Sequence, residues 1–346
     1  MKEYQEVLQD ILDNGREKES GRENMPNTIG LSHATILMKD VAQNFPLLTT
    51  KKMYWKGIVC ELLWFLRGET NIKYLVDNNV NIWNGDAYRW YCKYANEAGV
   101  EPMGMELFIA EIKANNELPR PFAWWQTGSA VIQNYRFGDL GKVYGHQWRN
   151  QNGVDQVQDV FNDLKNNPYG RYKIIDGWNK RDFPEMALPP CHLLYQFIVR
   201  PMTFEERSDW ASWEFDDLKT WTVDELDERN VPKYYLDLNM YQRSVDTPLG
   251  CPFNLASMSL LLIIMAKAVG MVAGDAFWIG GDTHIYVNQI DGVKEQLKRK
   301  PMQLPKVIIT RKIETMADIC NLTTNDIILK DYESHPKIDY TLSVGL

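Results

Sequence analysis

The chain has few cysteines, and they are scattered. Five occur among 346 residues, and no two form a C-x-x-C pair. Structural zinc sites and disulfide frameworks both use closely spaced sets of cysteines, so neither is predicted. This use of cysteine is typical of a reduced, intracellular protein.

Runs of lysine and arginine are missing as well. The formal net charge is -8 and the sequence pI is about 5.3, so no basic surface that follows nucleic-acid phosphates is predicted. Any anionic ligand has to be met by individual arginines. The first residues lack the basic and apolar regions of a secretory signal, and no repeat of fixed period is visible.

One apolar stretch, residues 255–274, has the length of a membrane span. It contains Lys267 and two serines and has no flanking basic anchors, which favours a helix buried in a globular core. Hydrophobic residues make up 45% of the chain and aromatic residues 12%, which indicates a folded body with a large core. At this length, one large domain with insertions and two domains are both possible.

Periodic patterns predict several elements. Residues 2–14 place apolar side chains on one helical face, and residues 53–67 predict a helix buried on most sides. Alternation with period two predicts strands over residues 194–199 and 234–241.

Three stretches lack a sustained period. Residues 16–27 predict a mobile surface loop that contains Arg22. Residues 85–137 mix aromatics, prolines and charge, and predict an insertion. In residues 201–231 acidic side chains outnumber basic ones and three tryptophans occur, which predicts a solvated lobe with its own small apolar cluster.

A carboxylate interrupts the apolar helix predicted over residues 53–67. Because Glu61 is flanked by apolar side chains, its charged form is costly there. The carboxyl is therefore either paired with a cation or partly protonated, and the residues alone leave both interpretations open.

The segment Pro189-Pro190-Cys191-His192 carries a candidate nucleophile. A thiol attacks as its thiolate, which nearby cations stabilise, and Arg243 is the candidate partner. A lone cysteine is more often a small buried hydrophobe, so a structural Cys191 is the alternative. Arg243 and Ser244 together offer donors to a phosphate, and Gly250 lets the backbone approach a ligand closely.

Taken together, these stretches resemble the thymidylate synthase family, folate-dependent enzymes that methylate deoxyuridylate. Motif order and spacing agree along the chain, apart from the two predicted insertions and parts of the termini. The motifs that carry the resemblance are Phe45-Pro46-Leu47-Leu48-Thr49-Thr50-Lys51, Glu61-Leu62-Leu63-Trp64-Phe65-Leu66, Asn81-Ile82-Trp83, Gly138-Asp139-Leu140-Gly141-Lys142-Val143-Tyr144-Gly145, Met186-Ala187-Leu188-Pro189-Pro190-Cys191-His192, Tyr241-Gln242-Arg243-Ser244-Val245-Asp246, Gly250-Cys251-Pro252-Phe253-Asn254 and Gly280-Gly281-Asp282-Thr283-His284-Ile285-Tyr286.

The resemblance implies a single α+β domain over residues 1–346, with peripheral insertions at 85–137 and 201–231. The implied sheet is mixed, mainly antiparallel and packed with helices, and its back face forms a homodimer. A cytoplasmic methyltransferase is implied that uses dUMP and, as cosubstrate, 5,10-methylenetetrahydrofolate. The resemblance implies no metal cofactor and no binding to nucleic acid or a membrane.

Individual roles follow from the resemblance at matching positions. Cys191 adds to C6 of the pyrimidine, Glu61 moves protons, and Tyr144 acts, directly or through water, in removal of the C5 proton. Asn254 pairs with O4 and N3 and favours uracil over cytosine, and His192 joins the surrounding polar network. The implied substrate-binding set is Arg22, Arg171, Arg243, Ser244, Asn254, His284 and Tyr286, and the implied folate-binding set is Lys51, Trp83, Leu188, Asp246 and Gly250.

Two departures from the family pattern bear on the reaction. Tyr172 stands where the family has a second arginine after Arg171, which removes a charge-assisted bond of about 1.5 to 3 kcal/mol. The tail ends Val344-Gly345-Leu346, and a tail that admits water before hydride transfer gives 5-hydroxymethyl-dUMP instead. A dUMP hydroxymethylase on the same scaffold is therefore one alternative. A non-catalytic nucleotide-binding or regulatory protein is another.

Overall fold

The computed structural model describes residues 1–21, 25–114, 136–217 and 219–340. Its helices are α1 (Lys2–Asn14), α2 (Trp55–Leu66), α3 (Lys73–Asp77), α4 (Asn84–Glu97), α5 (Met105–Ala114), α6 (Tyr144–Asn150), α7 (Gln156–Asn166), α8 (Phe204–Phe215), α9 (Val223–Glu228), α10 (Gly250–Ala268), α11 (Ile290–Leu297) and α12 (Met316–Cys320). Its strands are β1 (Arg16–Lys18), β2 (Thr28–Leu31), β3 (Ala34–Met38), β4 (Ile174–Asp176), β5 (His192–Pro201), β6 (Tyr234–Asp246), β7 (Val272–Tyr286), β8 (Lys306–Ile309) and β9 (Ile327–Lys330).

Seven strands form one sheet. Their order is β1-β2-β7-β6-β5-β4, and β3 pairs with a part of β7 next to the part that pairs with β2. Strands β6 and β7 run parallel, and the other neighbours are antiparallel. The predicted α+β fold, with a mixed and mainly antiparallel sheet packed with helices, is confirmed.

The strand register brings distant motifs to one end of the sheet. His192, the first residue of β5, is opposite Gln242 near the end of β6. Further along β6, Asp246 is level with His284 of β7. The Cys191, Arg243 and His284 motifs therefore meet where β5 begins and β6 ends.

Helix α10 forms the centre of the core. It packs against β6 and β7, and most of its side chains are buried. In the part of the chain that the structure describes, it is the one helix with the length and apolarity of a membrane span, and 83% of that window is buried inside the protein. The predicted buried helix is confirmed as far as Ala268. Beyond it the prediction over 255–274 was wrong, because Gly270 (φ 70°) ends the helix and β7 begins at Val272.

The predicted helices near the start of the chain are confirmed. Helix α1 buries Tyr4, Val7, Leu8 and Ile11 on one face, and α2 is buried on most sides. The predicted strands are confirmed as β5 and β6, each of which extends beyond its predicted range.

Two of the stretches predicted as irregular contain regular structure. The predicted loop 16–27 begins with β1, which pairs with β2 through its main chain although all its side chains are exposed. The predicted insertion 85–137 contains most of α4 and all of α5. Helix α4 buries alanines and aromatics, not branched aliphatic residues, which is why its period was missed.

The predicted acidic lobe has its own core, as expected. Between β5 and β6, helices α8 and α9 enclose a separate apolar cluster. The buried members of the cluster are Ala211, Trp221, Leu226 and Val231, and Trp210 packs against them.

The face of the sheet turned away from α10 is partly open and carries exposed apolar side chains. Leu37 of β3, Ile198 of β5 and Tyr241 of β6 are each about two-fifths exposed. In β6, Tyr241 alternates with the buried Met240 and Gln242, so it lies on the side opposite the core.

Candidate active site

Cys191 lies immediately before β5, beside the arginine that the sequence pairs with it. The main-chain N–H of Arg243 donates to the carbonyl of Cys191 over 2.9 Å, which holds the two backbones together. The guanidinium Nη2 is 3.7 Å from the Cys191 Sγ. The sulfur therefore has a cation as its neighbour, which is the environment that thiolate chemistry needs.

The Arg243 guanidinium is fixed by the turn that precedes Cys191. Its Nε donates to the carbonyl of Pro190 over 2.8 Å, and its Nη2 donates to the carbonyl of Pro189 over 3.0 Å. Two successive prolines leave these carbonyls on a stiff backbone. The distance between the cation and the thiol is thus set by rigid parts of the chain.

Tyr144 approaches Cys191 from α6. The main-chain N–H of Cys191 donates to the Tyr144 hydroxyl over 2.8 Å, and the ring stacks on Phe65 with centroids 4.9 Å apart. Burial, together with the nearby Cys191 thiol, raises the pKa of Tyr144 well above its ordinary value. The phenol therefore stays neutral and keeps a proton that it can share.

Glu61 projects from α2 toward the same region. The indole Nε1 of Trp83 donates to its Oε1 over 2.8 Å. Burial raises the pKa of Glu61 to about 7, and the Trp83 hydrogen bond partly opposes that rise. Of the two interpretations that the sequence left open, partial protonation is the one that the structure supports.

Asn254, in the first turn of α10, belongs to a connected polar network. Gln242 Nε2 donates to Asn254 Oδ1 over 2.9 Å, and Trp278 Nε1 donates to Gln242 Oε1 over 2.9 Å. His192 is buried beside them and its Nδ1 is 3.0 Å from the Tyr195 hydroxyl. Burial lowers the pKa of His192 to about 4, while its hydrogen bond with Asn254 partly opposes this. His192 is therefore a neutral member of the network.

The residues expected to hold the sugar and phosphate lie at the ends of β6 and β7. Ser244 is level with Asp282, and the rings of His284 and Tyr286 meet edge to face with centroids 5.3 Å apart. His284 Nδ1 is 3.2 Å from the carbonyl of Asp282. Lys18 pairs with the Asp282 carboxylate at 2.7 Å. The hydrogen bond with His284, together with Lys18, lowers the pKa of Asp282 to about 2.

Two of the predicted folate-binding residues, Lys51 and Asp246, carry opposite charges that act on each other. Lys51 is 4% exposed and donates to the carbonyl of Pro248. Burial lowers the pKa of Lys51 to about 8, and the charge of Asp246 partly opposes this. Asp246 accepts hydrogen bonds from Gln289 Nε2 (3.0 Å) and from the main chain of Leu249 (3.1 Å).

Two further predicted folate-binding positions, besides Trp83, are Gly250 and Leu188. Gly250 is the first residue of α10, next to the Asp246 loop. Leu188 is partly buried, three residues before Cys191, and packs against the core.

Of the two other arginines of the predicted site, the structure describes only Arg171. Arg171 is exposed on the turn before β4, and the neighbouring Tyr172 is 90% exposed. Arg22 lies outside the described residues, as does the tail from Thr341 to Leu346. Within the described ranges, no group of three His, Cys, Asp or Glu side chains is placed to hold a metal ion.

Sequence reasoning missed three residues that shape the site. Gln242 lies within one of the sequence motifs, but its hydrogen bond to Asn254 depends on the register of the strands. Lys173 is completely buried and donates to the carbonyls of Asn167 and Gly170 at 2.7 Å each, beside the turn that carries Arg171. Tyr340 packs over Lys51, and no local pattern predicts contact between residues so far apart in sequence.

Comparisons with known proteins agree along the chain. The sequence profile of the thymidylate synthase family matches residues 2–344. Curated proteins named thymidylate synthase are similar nearly end to end: that of Malacoplasma penetrans is 39% identical over 99% of this chain and 100% of its own length, and that of Mycoplasma mobile is 37% identical with the same coverage. The thymidylate synthase of Mycoplasma genitalium is 38% identical over 98% of each chain. These full-length matches support thymidylate synthase function, a methyltransferase activity, and the chain belongs to the thymidylate synthase family.

Proposed function

We propose that this chain converts dUMP to dTMP by reductive methylation, with Cys191 as the nucleophile. The observation that carries the proposal is the placement of Cys191: its thiol sulfur lies 3.7 Å from the Arg243 guanidinium, and its main-chain N–H donates to the Tyr144 hydroxyl. Members of the family use 5,10-methylenetetrahydrofolate as cosubstrate, and it supplies both the one-carbon unit and the hydride.

The first step is addition of the Cys191 sulfur to C6 of the uracil ring. The electron pair of the C5–C6 double bond moves toward C5 and O4, so C5 becomes nucleophilic and bonds to the one-carbon unit. Arg243 stabilises the attacking thiolate, and Asn254 donates to O4 while it accepts from N3–H. Loss of the C5 proton and cleavage of the bond between the one-carbon unit and the folate nitrogen leave an exocyclic methylene. Hydride transfer from tetrahydrofolate to this methylene, with release of the sulfur from C6, gives a methyl group and dihydrofolate.

Proton transfers fall to Glu61 and Tyr144. With a pKa of about 7, the Glu61 carboxyl exists in both protonation states at neutral pH, so it can deliver a proton to O4 and take it back. Because Tyr144 stays neutral, it assists removal of the C5 proton through water: its hydroxyl orients the water that carries the proton to solvent, while the N–H of Cys191 donates to the phenol oxygen. His192 stays neutral and orients Asn254.

The binding roles complete the proposal. Arg22, Arg243 and Ser244 hold the phosphate, with Arg171 from a second copy of the chain, and His284 and Tyr286 hold the sugar hydroxyl. Lys51, Trp83, Leu188, Asp246 and Gly250 form the folate side. The exposure of Arg171, away from the other site residues of its own chain, supports its assignment to the second copy.

We also propose a cytoplasmic homodimer of single-domain chains, with the segments 85–137 and 201–231 at the periphery. The partly exposed apolar face formed by Leu37, Ile198 and Tyr241 supports the dimer, because a second copy buries this face. Ile198→Glu is expected to shift the chain from dimer to monomer in sedimentation and to remove activity. A dimer that survives this change and the same change at Tyr241 argues against this interface.

A product assay tests the reaction. Incubation with dUMP and 5,10-methylenetetrahydrofolate is expected to give dTMP and dihydrofolate in equal amounts. Tetrahydrofolate together with 5-hydroxymethyl-dUMP identifies a hydroxymethylase instead. If neither product forms, and 5-fluoro-dUMP with the folate forms no covalent adduct at Cys191, the chain is not catalytic.

A further inference from the structure

The last described residue of the chain covers the ammonium of Lys51. The ring of Tyr340 lies over Lys51 Nζ, which is 4.9 Å from the ring centroid. This is a cation–π distance, and the Lys51 side chain is almost completely buried beneath it.

The position of Tyr340 is fixed by a closed ring of contacts. Its hydroxyl donates to Gln296 Oε1 over 2.7 Å, and Gln296 Nε2 donates to Thr50 Oγ1 over 3.0 Å. Thr50 directly precedes Lys51, whose ammonium faces the ring. Gln296 is fully buried, so both ends of its amide are committed to this arrangement.

The segment leading to Tyr340 is attached along the same surface; we call residues 332–340 the terminal strap. The Tyr332 hydroxyl donates to the carbonyl of Leu48 over 2.7 Å. The main-chain N–H of His335 donates to the carbonyl of Thr49 over 2.8 Å, and Arg299 Nη1 donates to the carbonyl of Pro336 over 2.6 Å. The strap is therefore bonded to the residues that lead into Lys51.

Tyr340 also fits against a glycine. A Cβ atom at Gly292 of α11 would lie 2.6 Å from Tyr340 Cε1, which is shorter than any ordinary contact. Only glycine at this position lets the ring lie where it covers Lys51, and a substitution there moves the ring without altering Lys51 itself.

We propose that Tyr340 is a gate for the folate: its ring covers the Lys51 ammonium and has to withdraw before a glutamate carboxylate of the folate can pair with that ammonium. The inference rests on the proposed folate-binding role of Lys51. A buried ammonium with one carbonyl partner has donors to spare, and the Tyr340 ring occupies a side from which a carboxylate can approach them. Opening the gate exchanges a cation–π contact for an ion pair.

Labelling of Lys51 tests the cover without any catalysis. An amine-reactive reagent is applied above the ordinary lysine pKa, so that the rate reports access to the amine, and the Lys51 peptide is quantified by mass spectrometry. Tyr340→Ala and Gly292→Ala are both expected to speed labelling of Lys51. Gly85→Ala is the matched control, because Gly85 lies in helix α4 with open space around its added Cβ. Unchanged labelling in both Tyr340→Ala and Gly292→Ala overturns the proposal.

Folate kinetics test the gate. In Tyr340→Ala and Gly292→Ala the KM for the folate is expected to fall by about three- to tenfold, with the KM for dUMP unchanged, because the ring no longer competes for Lys51. Tyr340→Phe keeps the ring and loses the bond to Gln296, so an intermediate value is expected. Faster labelling with an unchanged or higher KM for the folate overturns the gate. If the wild-type chain makes no dTMP, the labelling still decides whether Tyr340 covers Lys51, so the two failures are distinguishable.

Discussion

The indole N–H of Trp83 donates to the buried carboxyl of Glu61 over 2.8 Å, and it opposes the rise in pKa that burial causes. The two residues come from different elements, α2 and the segment before α4. Burial and this contact together set the pH at which Glu61 changes its protonation state.

Removing that hydrogen bond is expected to raise the pKa of Glu61 further. In Trp83→Phe the limb of the pH–kcat profile that reports Glu61 moves from about 7 to higher pH. In Glu61→Gln the limb disappears and kcat falls by about 10²- to 10⁴-fold. A limb near pH 7 that persists in Glu61→Gln assigns that ionisation to another group.

Replacement of the nucleophile is expected to remove both turnover and adduct. Cys191→Ser lowers kcat by about 10³-fold or more, because a serine hydroxyl is not ionised by a neighbouring arginine. Mass spectrometry with 5-fluoro-dUMP and the folate then shows no covalent complex. Cys92→Ser, in α4, is the control and retains the adduct. An adduct that persists in Cys191→Ser refutes the assignment.

Substrate choice is expected to follow the side chain at position 254. Uracil presents an N3–H donor and an O4 acceptor, which an amide matches, whereas cytosine presents an N3 acceptor and an amino donor. Asn254→Asp keeps an oxygen for the Gln242 donor and changes the face that meets the base. The ratio of kcat/KM for dUMP to that for dCMP is expected to fall by at least about tenfold. Asn254→Ala, which recognises neither base, is the control; the same ratio in both variants contradicts the prediction.

His192 is expected to make the fold sensitive to acid. Its pKa is about 4 in the folded chain against an ordinary value of 6.5, so between these values the unfolded chain binds a proton that the folded chain does not. The free energy of unfolding therefore falls as the pH drops from 6.5 toward 4, and at about pH 5 the loss from this group is about 2 kcal/mol. Urea denaturation at pH 7 and 5 measures it. His192→Gln carries no titrating ring, and an equal loss in this variant excludes His192 as the cause.

Much of the site was predictable because its residues occur in contiguous motifs. Cys191 with its prolines, and Arg243 with Ser244, are each short runs, and the sheet register then brings the two runs together. The apolar surroundings of Glu61 already indicated a costly charge, and the structure shows the raised pKa.

Other features depend on tertiary contacts that no local pattern reports. The Tyr340 ring lies over Lys51, although the two residues are far apart in the sequence. Lys173 is completely buried, whereas lysine side chains are almost always exposed. Helix α4 was missed because alanines and aromatics form its buried face.

The hydrogen bonds from Trp278 through Gln242 to Asn254 have a consequence for how the base is recognised. An amide has two nearly isosteric orientations, but an indole N–H only donates. Trp278 therefore holds the oxygen of Gln242 toward itself, which leaves the amino group of Gln242 for Asn254 and fixes the oxygen of Asn254 in turn. With Asn254 in its proposed role, the orientation of the amide that meets the pyrimidine depends on Trp278, which is completely buried in the sheet. In this proposal, discrimination between uracil and cytosine begins two side chains away from the base.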